Sequence, residues 1–426
     1  MPKRVRRQPA AELPVWPETV IGGKYVRLLE AQLEQLRDES AHGNRELHLD
    51  HVFVVHLLAF FNPTIRSLRT IEDFSQTRQV QKHLSLRKIC KSTLSDFHRL
   101  ADPERLQLVI DALRRQLARK ELAQQGDVSE LSTLLKHTVA VDGTFLPAMA
   151  DVAWAICNRN NHGTERYRAR LDVHLNVASW LPEAIVVPDP GQSEADSAIK
   201  HVQPGKLYLY DRGYNSFALI NAHYAPSGDT FSARSSFIIR YRQQGSNSSE
   251  LLDACDQELS EADQAAGVIS DRVGYFGSSK PQRHTIHAVA LREVLVTYHD
   301  ASGQAQTLRL ITNLLDVSAA TIAKLYRFRW QVELFFRWLK CFGNFSHLIS
   351  HAREGVLTHF YVTIIACLLM YLHTGFRPSK YLFVLLSQVA AGGATLDEVL
   401  PILRERERQC ELARQSAARR RAKKQA

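Results

Sequence analysis

The 426 residues contain six cysteines, Cys90, Cys157, Cys255, Cys341, Cys367 and Cys410, and no two stand at CxxC spacing. This argues against a structural zinc site and, with no secretory signal in view, fits a reducing cytoplasm. The N-terminus is basic, but QPAAELPVWPET follows where a signal peptide needs an apolar run. No fixed-period repeat is visible. Long uncharged runs are also missing, with one exception: Gly355 to Phe376 has no Lys, Arg, Asp or Glu. It is long enough to cross a bilayer, yet it holds Thr358, His359, Thr363 and His373. It therefore reads as a helix buried against a central sheet, with no membrane partner.

Net charge is missing from most of the chain. The formal charge is +10, of which residues 1–10 carry +4 and residues 401–426 carry +6, leaving residues 11–400 neutral. Basic ends suit contacts to a phosphate backbone, which give affinity without sequence specificity; solvated tails that aid solubility would look the same.

What is present is most concentrated in LYRFRWQVELFFRWLKCF, Leu325 to Phe342. Read as one helix with Tyr326 at zero, Arg329 falls near about −60°, Glu333 near about −20° and Lys340 near about −40°. These four share one stripe about 21 Å long, while most of the remaining surface is apolar. A helix apolar nearly all round is normally buried, and its charged residues then need partners. The stripe suits an extended charged ligand such as a nucleic-acid backbone; an internal ion-pair network holding a core helix in register fits equally well.

Two further segments carry acids at strand ends. HTVAVDGTFLP (His137 to Pro147) runs to Asp142-Gly143, and KLYLYDRGY (Lys206 to Tyr214) runs to Asp211, then Arg212-Gly213. Singly, an Asp-Gly after a strand is plain turn chemistry. Together with a glutamate on a core helix, the two aspartates are the parts needed to hold a pair of divalent cations. Hard cations take carboxylate and phosphate oxygens, and two of them can support an in-line phosphodiester displacement.

Tyr326, Arg329, Glu333 and Lys340, at that spacing, resemble the YREK signature of DDE transposases of the insertion-sequence-four type. Asp142 in DGT and Asp211 in DRGY resemble that family's first and second catalytic aspartates, and the three motifs stand in the family's order. The resemblance covers roughly residues 135–375. It implies catalytic, metal-binding Asp142, Asp211 and Glu333, with Mg²⁺ as the ion and Mn²⁺ able to substitute. It assigns Tyr326, Arg329 and Lys340 to DNA. It also implies double-stranded DNA partners (element ends and target), a homodimer in the synaptic complex, cut-and-paste transposition and a bacterial, cytoplasmic setting. A ribonuclease H-type nuclease without strand transfer and an inactive, domesticated DNA-binding relative remain the alternatives.

The expected fold class is α/β, a ribonuclease H-like mixed sheet flanked by helices, with a β-rich insertion and a helical N-terminal domain. Expected boundaries are a basic tail at 1–20, a helical DNA-binding domain at 21–130 and the first part of the core at 131–242. The insertion follows at 243–315, then the second part of the core with the glutamate helix at 316–378. A helical C-terminal region at 379–426 ends in a frayed basic tail. Strands are expected at 138–146, 167–178, 183–188, 206–211, 236–242, 284–298 and 307–314, and a helix at 215–224. The 122-residue gap between Asp211 and Glu333 is what demands an insertion. Ser85 to Asp102 could form a helix-turn-helix broken at Ser92-Thr93. His174 and Trp330 are read as core residues.

Overall fold

The computed structural model describes residues 29–37, 47–61, 65, 67–78, 81, 88–122, 130–147, 156–159, 165–189, 191–227, 230–242, 249–278, 285–299, 303–342, 349–350, 352–375, 380–390 and 394–425. Two compact units are present, one spanning 124–337, the other formed from 1–123 and 338–426. The expected basic tail at 1–20 lies outside the described residues.

The unit 124–337 is built on a ten-stranded mixed sheet. Its strands are β1 (Thr138–Pro147), β2 (Ile156–Arg159), β3 (Glu165–Asn176), β4 (Pro182–Val186) and β5 (Leu207–Tyr210). A separate hairpin, β6 (Tyr224–Ser227) and β7 (Thr230–Ala233), precedes β8 (Ser236–Tyr241), β9 (Glu250–Asp256), β10 (Val268–Ser278), β11 (Thr285–His299) and β12 (Ala305–Thr312). The spatial order is β2-β3-β1-β5-β8-β12-β11-β10-β9, with β4 also paired to β3. β1–β5 and β5–β8 are parallel and the other pairs antiparallel. The helices are α1 (Glu130–Lys136), α2 (Glu194–Ile199), α3 (Phe217–Asn221), α4 (Glu261–Ala265), α5 (Ala319–Arg327) and the start of α6 (Trp330–Phe342), whose residues from Trp338 on belong to the other unit.

The central strand β5, LYLY, is buried at all of its positions. Continuous apolar sequence marks a strand covered on both faces. Alternate residues divide the sheet's two sides: Val139 and Val141, Tyr208 and Tyr210, Phe237 and Ile239, with Ile311, Leu291 and Phe276, join Ala195 and Ala198 of α2 and Leu219 and Ile220 of α3 in one core. Strand periodicity of two then turns Ala140, Asp142, Leu209 and Asp211 to the other side.

The β-rich stretch expected as an insertion is not a sheet of its own. Its strands β9–β12 extend the central sheet through β12 and β8, with Leu310 opposite Arg240 and Ile311 opposite Ile239. An ion network is buried in this extension: Arg309 (2% exposed) donates to Glu293 (1%) at 2.5 Å, and Arg272 donates to the same carboxylate. The Tyr241 and Phe276 rings lie 5.6 and 5.7 Å from the Arg309 guanidinium.

The single helix read from Leu325 to Phe342 is in fact two. α5 ends at Arg327 and α6 begins at Trp330. Between them Phe328 N–H bonds to Leu325 O at 3.0 Å, Arg329 to Tyr326 at 3.0 Å and Gln331 to Phe328 at 2.9 Å. These are i→i−3 bonds, the tighter 3₁₀ pattern, so the uniform 100° step behind the polar stripe does not hold across Arg329. Trp330, expected in the core, is 50% exposed, because the joint places it on the open first turn of α6.

In the other unit the uncharged run forms the helix Arg353–Thr374. Its span Arg353–Leu372 meets the length and hydropathy of a membrane crossing, but 78% of the apolar window is buried. It packs on the helices Leu49–Phe61, Lys91–Leu100 and Gln107–Leu122 of its own unit, where a central sheet was expected. The proposed helix-turn-helix break also falls elsewhere. Ser92 and Thr93 lie inside the helix Lys91–Leu100, whose N-cap is Cys90, and residues 85–87 lie outside the described residues. The C-terminal segment forms one helix, Leu396–Gln425, rather than a frayed tail.

Glu293→Ala will leave the Arg309 guanidinium buried without its carboxylate. The expected cost is about 3–5 kcal/mol, read as a lowered midpoint in urea unfolding followed by circular dichroism.

Candidate active site

The parallel register of β1 on β5 brings two acids together. Thr138 lies opposite Leu207, Val139 opposite Tyr208 and Ala140 opposite Leu209. Two residues further along, Asp142 continues in β1 while Asp211 follows the end of β5 and caps the turn Arg212–Tyr214; the charge of Asp211 is felt at Asp142. Each carboxylate is steadied by a local backbone N–H: Gly143 donates to Asp142 Oδ1 at 2.9 Å, and Gly213 to Asp211 Oδ1 at 2.7 Å.

Glu333 reaches the same place through Arg329. The guanidinium donates to Asp142 Oδ2 at 3.5 Å through Nη1 and to Glu333 Oε1 through Nη2. Arg329 is 13% exposed, Asp142 18% and Glu333 31%. The pairing Arg329–Glu333 spans the joint between α5 and α6 at i,i+4. A second tie fixes α6: Trp180, in the turn between β3 and β4, donates its indole N–H to Gln331 Oε1 at 2.6 Å. Trp180 sits at φ +61°, a left-handed conformation costly for a bulky residue.

Burial pushes the Asp142 carboxyl up to about 7; the Arg329 charge pulls it down, and Asp211 and Glu194 raise it further. Burial raises the Tyr326 hydroxyl strongly, while Arg329 and Arg240 oppose that rise. Tyr326, expected to meet a phosphate, is itself only 7% exposed and faces Arg329. Lys340, exposed, lies further along α6. His174 is a core residue kept neutral: burial lowers it to about 3.

Sequence reading missed the acids on the opposite face. Asp172, opposite Gly143 in the β1–β3 register, is held by Arg170 through Nε at 2.9 Å and Nη2 at 3.1 Å. Glu194, first residue of α2, places its carboxylate beside Gly143 and Gly213. In the sequence it reads only as an acid in the first turn of a short helix behind the N-cap Ser193.

The residues fit a hard divalent cation in chemistry: the donors are carboxylate oxygens, and Asp142 carries charge that its surroundings resist. Among the described residues, no three His, Cys, Asp or Glu side chains form a ready-made ligand cage. Arg329 stands between Asp142 and Glu333 where such a cage would close.

Asp142 on β1 is joined through one arginine to a glutamate on α6, with Asp211 following the adjoining strand β5. Residues 134–369 match the family described as the transposase DDE domain. The chain belongs to this family. It is 38% identical over 79 residues, 18% of this chain, to "Probable transposase for insertion sequence element IS5377" of Geobacillus stearothermophilus. It is 25% identical over 236 residues, 54% of this chain, to "Putative transposase y4zB" of Sinorhizobium fredii (strain NBRC 101917 / NGR234). The matched stretches span 20% and 59% of those two relatives. A piggyBac transposase synaptic complex with hairpin DNA aligns over 89% of this chain and 80% of its own, with a TM-score of 0.38 and 9% identity.

A carboxyl whose folded pKa is raised binds its proton more tightly in the folded state, so its contribution to stability is lost as pH rises. With chelator present, the melting temperature of Asp142→Asn relative to the wild type will therefore rise between about pH 4 and about pH 7, whatever the slope contributed by the other carboxylates. At pH 8 Asp142→Asn will be the more stable protein, by up to about 4 kcal/mol. Thermal melts of both proteins at pH 5 and pH 8 check this.

Proposed function

We propose that this chain is a DNA transposase that binds the terminal inverted repeats of its element and carries out metal-dependent strand cleavage and strand transfer. The fold is read as ribonuclease H-like, with Asp142, Asp211 and Glu333 as the catalytic triad. The observation that carries the reading is the tie of Glu333 to Asp142 through Arg329, with Asp211 just past the end of the strand that pairs with β1.

Asp142, Asp211 and Glu333 would hold Mg²⁺, with Mn²⁺ able to substitute. Bound there, the ions supply an activated attacking oxygen and charge neutralisation at the leaving oxygen. The protein's own groups do the rest. Asp142 stands within the central strand β1 and Asp211 directly after the buried strand β5, where it caps the turn Arg212–Tyr214. Arg329 is the cation of the free site; its planar fork matches phosphate as well as carboxylate, so it can exchange the acids for a phosphate flanking the scissile bond. Tyr326 is buried beside Arg329 and limits the water around the guanidinium. Lys340 contacts the DNA backbone further along α6. A homodimer that brings two element ends together completes the reading.

Labelled duplexes carrying the ends of the coding locus test it. Metal-dependent cuts at the repeat tips are expected with Mg²⁺ or Mn²⁺, and none with chelator. Glu333→Ala will lower cleavage by on the order of 10³-fold, matching several kcal/mol of lost charge stabilisation, while DNA binding persists. Cutting at arbitrary positions would favour a nuclease without strand transfer, and specific binding without cutting an inactive relative. Lys340→Ala will weaken binding to all sequences alike and reduce the slope of log affinity against log salt by about 0.9.

A further inference from the structure

β1, β5 and β8 run parallel side by side, and the middle strand stops first. Ala140 lies opposite Leu209, and Leu209 opposite Ile238. Two residues further along, Asp142 is still within β1 and Arg240 still within β8, whereas β5 has ended at Tyr210. Val139, Val141, Tyr208, Tyr210, Phe237 and Ile239 join one core, so strand alternation turns Asp142 and Arg240 together to the other side of the sheet. Two strand spacings separate them, about 10 Å at the backbone. The position between them lies outside the carboxyl end of β5, where sheets with parallel strands receive their ligands.

Arg240 is half-buried, opposite the buried Leu310 of β12, and its side chain has no hydrogen bond or ion pair among the described residues. Four other arginines of the sheet differ from it. Arg170 is held by Asp172, Arg292 by Asp271, and Arg272 and Arg309 by Glu293. Of the acids at the neighbouring strands, Asp142 is bonded to Arg329 and Asp211 to the Gly213 N–H, and Arg240 pairs with neither. A guanidinium keeps its charge, and its five donors need acceptors. With the stem set among strands and the head open, the missing acceptor is one that a ligand brings. The charge of Arg240 also reaches the ring that Arg329 faces: both arginines oppose the rise of the Tyr326 hydroxyl.

We propose that Arg240 is a further DNA-binding residue of the active site, its guanidinium taking a phosphate next to the scissile one, across the site from Asp142. The assignment rests on the reading of the chain as acting on DNA ends. It gives the site an acid side at β1 and a cation side at β8, with the gap left by β5 between them. The planar fork of Arg240 matches two oxygens of one phosphate. Arg329 must leave two carboxylates to meet DNA, whereas Arg240 has no such bond to give up. Arg240 therefore holds the strand first, and Arg329 follows.

Binding of the full chain to labelled duplexes carrying the ends of the coding locus, in chelator so that no strand is cut, tests the assignment. The duplexes are used unmodified and with single methylphosphonates that neutralise one phosphate at a time around the cleavage point. Arg240→Gln will bind the unmodified duplex more weakly by about tenfold or more, the effect of a lost charge-assisted hydrogen bond, and will lower the slope of log affinity against log salt by about 0.9. At one methylphosphonate position the wild type will weaken by the same factor and Arg240→Gln will not weaken further, because that phosphate and the arginine act on each other. With no partner lost, Arg240→Gln will melt at the wild-type temperature. Wild-type affinity in Arg240→Gln, or equal methylphosphonate losses in both proteins at every position, would overturn the role of Arg240 and leave the transposase reading standing. A lowered melting temperature for Arg240→Gln with no coupling to any phosphate would mark a structural arginine and equally overturn the assignment. Wild-type binding that does not distinguish these ends from a scrambled duplex would overturn the transposase reading and this proposal with it.

Discussion

The guanidinium of Arg329 stands between the carboxylates of Asp142 on β1 and Glu333 on α6, and the sheet end around it is organised by that position. Several acids converge there, and burial makes Asp142, Asp172 and Glu194 resist ionisation. Even with Arg329 alongside, Asp142 is held at about 7. A site of this kind stores unfavourable charge that a cation or a substrate contact can relieve. Arg329 suits the interim role because a guanidinium has five donors in a rigid fork and does not lose its proton.

The surrounding fold makes that concentration of charge tolerable. β1 and β5 are paired in a parallel register and covered on one face by the core of α2 and α3, so the aspartates cannot drift apart. The 3₁₀ joint between α5 and α6 sets the phase at which Arg329 and Glu333 meet, and the Trp180–Gln331 bond ties α6 to the turn after β3. Farther along the same sheet a second set of charges is handled differently. Arg309, Glu293 and Arg272 satisfy one another inside the strands, and Arg292 is bound by Asp271 at 2.6 and 2.8 Å. Those groups form a closed network, whereas Asp142 and Glu333 share the single guanidinium of Arg329.

Much of this was legible in the chain. The alternation of TVAVD and the apolar LYLYD located two strands, since a strand's periodicity is local; Asp211 does follow β5 directly, but Asp142, read as closing its run, stands in the middle of β1. The spacing of Tyr326, Arg329, Glu333 and Lys340 was equally visible. Less legible was the break at Phe328–Arg329, because a helix and a 3₁₀ joint share the same apolar composition and differ only in which carbonyl each N–H finds. The partner of Arg353–Thr374 was misjudged for a related reason: an apolar helix shows that it is buried, not against what. Trp330 was assigned to the core on hydrophobicity alone, which cannot distinguish a buried face from an open first turn.

Local pattern by itself marked the strands around Asp142 and before Asp211 and the motifs that carry the family resemblance, because these depend on residues near one another in sequence. Only the tertiary structure decided that β9–β12 continue the central sheet, that Arg329 spends its charge on Asp142 and Glu333, and that Glu194 comes to rest against Gly143 and Gly213. Each of these joins residues dozens of positions apart or more, and which pairs meet is set by strand register and helix packing over the whole unit. A glutamate in the first turn of a six-residue helix carries no mark of its destination; the two glycines that admit it do so only once the sheet has formed.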